Sequence, residues 1–168
     1  MLRTTLVAPD ATTPPDSAAF RRALGSFGTG VAVATCRDAA GQSAGITINS
    51  FTSVSLDPLL VLFCLGTTTR VHADFLQAEH FAINILATDQ EQHARHFSSP
   101  TSGDWKNTPI LPDTAAPILP DCLSWIICRR HAVHPGGDHT IIVGAVTALG
   151  PIRDTDPLLY FRGQYRRF

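Results

Sequence analysis

Residues 44–58 alternate between apolar and small polar side chains. β-Branched and aromatic residues dominate this stretch, so it predicts a strand. One parity carries Ile46, Ile48, Val54 and Leu56, and the other carries Thr47, Asn49, Phe51, Ser53 and Ser55. The two parities of a strand point to opposite faces. The pattern therefore predicts one core face and one face of hydroxyl and amide groups, with no charge before Asp57.

The polar parity has two competing interpretations. Short hydroxyl and amide side chains, with Ser50 and Thr52 among them, let a ligand approach the backbone and form hydrogen bonds with little rotamer entropy to lose. A flat heterocycle with donors and acceptors along its edge would suit such a face. A Ser/Thr-rich strand packed against another part of the protein explains the same pattern, so these residues alone leave the choice open.

The remaining hydrophobic pattern predicts six further strands and three short helices. The strands are expected over residues 31–36, 59–65, 81–86, 123–133, 140–149 and 158–161, and the continuous apolar run 59–65 is expected to be buried on both faces. Residues 37–42 and 135–138 are predicted turns. The tight connections between strands favour an antiparallel Greek-key arrangement. We therefore predict a mainly β fold, a β-barrel with a few short helices.

The three predicted helices follow from caps and apolar stripes. The first is capped by Asp16 or Ser17 and carries the stripe Phe20, Ala23, Leu24 and Phe27. The second turns Val71 and Phe75 inward. The third begins with a Thr88-x-x-Glu91 capping box and ends near Phe97. Residues 98–121 are predicted to form a long surface loop held down by Trp105, Ile110 and Leu111. Residues 1–13 are predicted to be a flexible arm before a single domain, 14–168.

The composition narrows the functional class. The chain has 168 residues and a net charge of -1, so it carries no electrostatic footprint for nucleic acid or an anionic membrane. Hydrophobic residues make up 44% and charged residues 16%, with a mean hydropathy of +0.09, which favours an oligomer that covers part of the surface. No apolar run approaches the roughly 20 residues of a membrane span, and the apolar core of the N-terminal segment is too short for a secretory signal. A cytoplasmic protein with free, buried thiols is expected.

Candidate chemistry is sparse. The segment Thr67-Thr68-Thr69-Arg70 lies between a predicted strand and a helix start, where hydroxyls, free N–H groups and a guanidinium would suit a phosphate, although a Thr cap with a solvated Arg fits equally. The glycines at residues 25–30 do not have the dinucleotide-binding spacing. The pairs His93/His96 and His131/His134 lack further ligands with suitable spacing, so no metal is expected. His139, which directly precedes a predicted strand, is either a surface residue or a ligand contact.

Taken together, these motifs resemble the short-chain flavin reductase family, which has an FMN-binding split β-barrel. The resemblance is carried by residues 27–35, 45–58, 81–86, 137–144 and 157–160, and it covers about residues 18–165. Two positions depart from the family pattern. Leu59 follows Pro58 where a second proline is frequent, and Ala145 follows Gly144 where an acidic residue is usual.

The resemblance implies a homodimer with flavin in a groove near the dimer interface. It implies that FMN or FAD is reduced by NADH or NADPH, and that reduced flavin passes to a separate monooxygenase. The implied flavin contacts are Thr47, Asn49, Ser50, Ser53 and Ser55 at the ring and ribityl chain, Cys64 near the ring, and Thr68, Thr69 and Arg70 at the phosphate. His139 is implied to face the nicotinamide. Two alternatives share the barrel: a non-catalytic flavin- or haem-binding module, and an oxidase of the pyridoxamine-phosphate type.

Overall fold

The computed structural model describes residues 14–99, 105 and 107–167. The predicted arm 1–13 lies outside these residues. The helices are α1 (Ser17–Leu24), α2 (His72–Gln77) and α3 (Glu91–Ser98), with a 3-10 turn at Thr88–Gln90. The strands are β1 (Thr29–Gly30), β2 (Ala32–Arg37), β3 (Ser43–Ile48), β4 (Thr52–Leu56), β5 (Leu59–Gly66), β6 (His80–Ile85), β7 (Ser124–Gly136), β8 (His139–Leu149), β9 (Leu159–Phe161) and β10 (Gln164–Arg166).

Seven strands form one antiparallel sheet in the order β3-β2-β6-β7-β8-β5-β4. Its two edge strands, β3 and β4, are consecutive in the chain and are joined only by residues 49–51. A link of that length spans at most about 14 Å, so the sheet must curl until its edges approach each other. No ladder joins these edges in the part of the chain that the structure describes. The predicted mainly β, Greek-key split barrel is therefore confirmed. Strands β1, β9 and β10 form a separate small sheet.

The prediction of one continuous strand over residues 44–58 is wrong. The chain leaves β3 after Ile48, turns, and starts β4 at Thr52 on the opposite edge of the sheet. Ser50 holds the turn, because its Oγ accepts from the Cys64 N–H at 3.0 Å and donates to the Cys64 carbonyl at 3.1 Å. A β-bulge then shifts the register between Ser53 and Ser55. The single polar face predicted from parity therefore does not exist.

The interior of the barrel is filled by aromatic residues that meet edge to face. Phe63 on β5 packs against Phe75 and Phe81, with ring centroids 5.5 and 5.4 Å apart. Strand β5 buries only alternate residues, so the prediction that it is buried on both faces is wrong. Strand β2 is covered on both sides, because α3 and the segment Ala116–Leu119 pack on its outer face, and β6 is likewise buried at four consecutive residues.

Buried polar groups attach the segment after residue 107 to the barrel. The Asn84 side chain donates to the Val33 carbonyl at 3.0 Å and to Thr35 Oγ1 at 3.1 Å, and its oxygen accepts from the Leu119 N–H at 2.8 Å. Thr35 donates to the Pro117 carbonyl at 2.5 Å. The predicted loop therefore contains a buried stretch at residues 116–119. Trp105 is held down as expected, 4.9 Å from the Phe97 ring; Pro100 and residues 101–104 and 106 lie outside the described residues.

The helices match their predicted positions but not all of their predicted ends. Asp16 caps α1 by accepting from the Ala19 N–H at 2.6 Å, and Val71 and Phe75 are buried as predicted. The Thr88–Glu91 capping box is wrong: the chain makes a 3-10 turn there, and the side chain of Gln90 accepts from the Ala87 N–H at 3.1 Å. None of the described helices has the length and apolarity to cross a membrane.

Candidate functional site

A groove runs along the outer face of β3 beside the C-terminal end of α3. Its wider part is a cavity of about 650 Å³. Its lining residues come from four elements: Thr47, Ile48 and Asn49 at the end of β3, Arg95 and Ser98 on α3, Tyr160 on β9, and Gln164 and Tyr165 on β10, together with Val31 and Gly163.

A narrower cavity of about 360 Å³ continues the groove. It is lined by Gly45 and Ile46 of β3, by residues 68–71 after β5, and by residues 97–99 at the end of α3. Ser98 lines both cavities, so the two lie side by side along β3. At about 3.3 Å per residue, Gly45 and Asn49 are roughly 13 Å apart along β3. Gly45 is required where α3 approaches the strand, because a Cβ there would lie 3.1 Å from Phe97 Cε1 and 3.0 Å from Trp105 Cζ2.

The narrow cavity contains the predicted phosphate residues Thr68, Thr69 and Arg70. The Thr69 hydroxyl donates to the Gly66 carbonyl at 2.8 Å, which shapes the turn between β5 and α2. The hydroxyl proton of Thr69 is therefore not available to a ligand. The Thr68 hydroxyl and the Arg70 guanidinium also line this cavity, are exposed, and are side-chain donors of the kind that bind an anion.

His139 lies next to this turn. It is the cross-strand neighbour of Gly66, and the Asp138 carbonyl accepts from the N–H and the hydroxyl of Thr67 at 3.0 and 3.1 Å. Asp138 Oδ1 is 2.7 Å from His139 Nδ1, and this contact holds the pKa of Asp138 below its ordinary value. The carboxylate therefore favours the proton on Nδ1, which leaves Nε2 as the acceptor in the neutral ring. A Cβ on Gly66 would lie 3.8 Å from His139 Nε2, so this nitrogen lies close to the backbone of Gly66, where no side chain covers it.

Ser50, Ser53, Ser55 and Cys64 are not among the residues that line these two cavities. The Ser50 hydroxyl is bonded to the backbone of Cys64, which is half-buried on β5. Ser53 pairs with Val61 and Ser55 with Leu60, which are neighbours on β5 and therefore face opposite sides of the sheet. The expectation that Ser53 and Ser55 extend the face of Thr47 and Asn49 is wrong. Thr47 itself donates its hydroxyl to the Ala94 carbonyl of α3 at 2.7 Å.

The lining residues that were missed from the sequence include Arg95, Ser98, Tyr160 and Tyr165. The rings of Tyr160 and Tyr165 are cross-strand neighbours with centroids 5.4 Å apart. The Arg95 guanidinium lies 5.0 Å from the centre of the Tyr165 ring. Arg95 and Tyr165 are 70 positions apart in the chain, and no local sequence pattern connects an arginine on a helix with a C-terminal hairpin.

The two histidine pairs predicted from the sequence lie apart from any larger group of metal-ligating side chains in the described part of the chain. No cluster of three or more His, Cys, Asp and Glu side chains lies within ligation distance among residues 14–99, 105 and 107–167. His93 and His96 line a separate cavity of about 430 Å³ with Asn107. Burial lowers the pKa of His93, which keeps its ring neutral but supplies no further ligand.

The fold and groove define a split barrel with a phosphate-compatible pocket, and comparison with known proteins places it in a family. The profile of the flavin reductase like domain matches residues 24–168. The chain is 42% identical to the FMN reductase (NADH) SmoA of Agrobacterium fabrum over 91% of this chain and 87% of SmoA. It is 39% identical to HsaB, the reductase subunit of a flavin-dependent monooxygenase of Rhodococcus jostii, over 89% of this chain and 77% of HsaB.

A solved structure supports the same family assignment. The NADH:FAD oxidoreductase SgcE6 of Streptomyces globisporus, in complex with NAD and FAD fragments, superimposes with a TM-score of 0.85 at 34% identity, covering 91% of this chain and 93% of SgcE6. The chain therefore belongs to the flavin reductase like family, and the resemblance seen in the sequence is confirmed.

Proposed function

We propose that this protein is an NADH-dependent flavin reductase that reduces FMN or FAD and supplies the reduced flavin to a separate monooxygenase. The observation that carries the proposal is the pair of adjacent cavities beside β3, of which the narrower contains the hydroxyl of Thr68 and the guanidinium of Arg70. Membership of the flavin reductase like family supports it, and so do the names of SmoA as an NADH-dependent reductase and HsaB as a monooxygenase subunit.

The groove fits a flavin in size and in donor chemistry. Its two cavities, about 650 and 360 Å³, lie in the usual range of cofactor sites, about 300–1,000 Å³. Thr68 and Arg70 would hold the phosphate, and Asn49, exposed in the wide cavity, would donate to or accept from the edge of the ring. Thr47 contributes indirectly, because its bond to Ala94 fixes α3 against β3.

The chemistry requires position more than acid–base strength. A bound flavin supplies the hydride acceptor, and the nicotinamide supplies the hydride when the two rings stack. In this chain Asp138 orients the His139 ring, and His139 Nε2 above Gly66 offers a polar contact for the nicotinamide amide. Cys64 lies on the neighbouring stretch of β5, and the hydrogen bonds between its backbone and the hydroxyl of Ser50, in the link after β3, fix one edge of the barrel opening.

The first test is an NADH oxidation assay with added FMN or FAD and the His139→Ala variant. We expect the variant to raise KM for NADH by about tenfold, since it loses one hydrogen bond to a desolvated partner, while flavin affinity stays close to that of the wild type. His131→Ala, an exposed histidine on β7, is the matched control. Unchanged KM and kcat in His139→Ala would remove His139 from the site. A wild type that binds flavin without oxidising NADH would leave a non-catalytic binding module.

We also propose that the protein acts as a homodimer. Large apolar side chains are exposed on β4 and at the start of β5: Val54 is 49% exposed, Leu56 85% and Leu59 48%. Strand β4 is an edge strand, and an exposed apolar edge is a surface that a second copy would cover.

A further inference from the structure

One wall of the wide cavity is lined by side chains that have no role in the flavin contacts proposed above. Tyr160 and Tyr165 present adjacent rings there, held in register by the tight turn at Arg162 and Gly163, whose φ angles are 50° and 76°. Arg95 reaches over Tyr165 from α3. Aromatic faces stack on heterocyclic bases, and a guanidinium matches phosphate oxygens in a bidentate manner.

The charge of this wall is also distinctive. No acidic residue follows Asp156, whereas Arg162, Arg166 and Arg167 lie in the C-terminal hairpin and its end, all exposed. Arg95 is paired with Glu91 at 2.6 Å, but the Arg95 side chain is 66% exposed, so the pair is solvent-screened and weak. A ligand phosphate can therefore replace Glu91 at little cost. Arg95 is the basic side chain among the residues that line this cavity.

We propose that this wall, formed by Arg95, Tyr160 and Tyr165, binds the adenosine diphosphate moiety of a dinucleotide substrate. The two rings are inclined at 62° to each other, so the adenine would stack on one of them, and Arg95 would contact the diphosphate. The inference rests on the proposed function, since the moiety belongs either to FAD or to NADH. The oxidised flavin ring is uncharged and gives Arg95 no anionic partner, and the flavin phosphate has its own groups at Thr68 and Arg70.

The two sources of the moiety can be separated with truncated substrates. FMN is FAD without the adenylate part, and reduced nicotinamide mononucleotide is NADH without it. The four pairings of these flavins and nicotinamides are assayed with the wild type and with Arg95→Ala. If the wall binds NADH, Arg95→Ala raises KM about tenfold for NADH with either flavin and leaves the mononucleotide unchanged. If it binds FAD, KM rises for FAD alone.

Arg95→Ala is suited to this test because the side chain is exposed and its removal leaves the core of α3, Ala94 and Phe97, intact. Arg22→Ala, an exposed arginine near the end of α1, is the matched control and should leave all four pairings unchanged. Arg95→Lys should recover only part of the affinity, because an ammonium lacks the planar fork that stacks on Tyr165. Tyr165→Leu should give the same pattern of losses through stacking.

A binding measurement with ADP separates this inference from the proposed function. Calorimetric titration of the wild type with ADP should show binding that Arg95→Ala weakens about tenfold, whether or not NADH is oxidised. An active reductase that does not bind ADP, or in which Arg95→Ala has no effect, overturns the inference alone. An equal loss with all four pairings also overturns it, because Arg95 would then act on the flavin ring. ADP binding without NADH oxidation would overturn the proposed function alone.

Discussion

Three of the four cysteines are buried and one is half-exposed. Burial raises the pKa of the Cys36, Cys122 and Cys128 thiols to about 12 in each case. A thiol with a raised pKa stays protonated at neutral pH, and the thiolate is the nucleophile. These three residues therefore behave as small apolar side chains, whereas Cys64 remains accessible beside Ser50.

We predict that a thiol-specific reagent near neutral pH labels one cysteine rapidly in the native protein and all four only after unfolding. Cys64→Ser should abolish the rapid phase. If Cys64 lies near the flavin ring, saturating FMN should slow that phase several-fold by covering the sulfur. Rapid labelling of two or more thiols would contradict the burial of Cys36, Cys122 and Cys128, and labelling that is indifferent to FMN would separate Cys64 from the flavin.

At the scale of single elements, β8 depends on a glycine in its middle. A Cβ on Gly144 would clash with Phe81 Cζ and would lie 2.7 Å from Cys128 Cβ, inside the barrel. We predict that Gly144→Ala lowers the free energy of unfolding by about 1–3 kcal/mol, the usual cost of overpacking a core. Chemical denaturation measures it. Gly30→Ala is the control, since nothing lies within 4 Å of its Cβ position; equal stability of the two variants would rule out the clash.

The elements that the sequence predicted correctly are those with local signals. The Asp16 cap, the inward Val71 and Phe75, and strand β6 follow from spacing within a few residues. The division of residues 44–58 into two strands coincides with a break in the alternation that the single-strand prediction passed over, because Ser50 and Thr52 fall on the apolar parity and Phe51 on the polar one. The turn depends on Ser50 meeting the backbone of Cys64, 14 residues away, and this contact exists only once β4 pairs with β5.

The candidate site was predicted in part for the same reason. Thr68, Thr69 and Arg70 form a contiguous segment at an element boundary, so their shared position was visible in the sequence. Thr47 and Asn49 were placed in the groove, but Ser53 and Ser55 were misplaced because a β-bulge reverses the faces of alternate residues. Arg95 and Tyr165 meet only through the packing of α3 and the small sheet.

At the scale of the whole molecule, exposed apolar side chains gather on the edge of the barrel formed by β4 and the start of β5. We predict that Leu56→Lys converts a dimer into a monomer, because a buried charge in an apolar interface costs several kcal/mol. Analytical ultracentrifugation measures the change. Ile152→Lys is a closely matched control, since both side chains are 85% exposed in the isolated chain. A wild type that sediments as a monomer, or a Leu56→Lys dimer, would exclude this edge as the interface.

The order of the strands has a consequence for how the protein acquires activity. The groove residues on β3 and those that follow β5 lie at or near opposite ends of the seven-stranded sheet. The narrow cavity between them exists only when the sheet has curled and its two edges have approached each other. A folding intermediate in which a central strand is still unpaired would contain both groups of groove residues but would not bring them together. Recovery of flavin affinity during refolding is therefore a late event, and it reports the completion of the barrel rather than the formation of any one part.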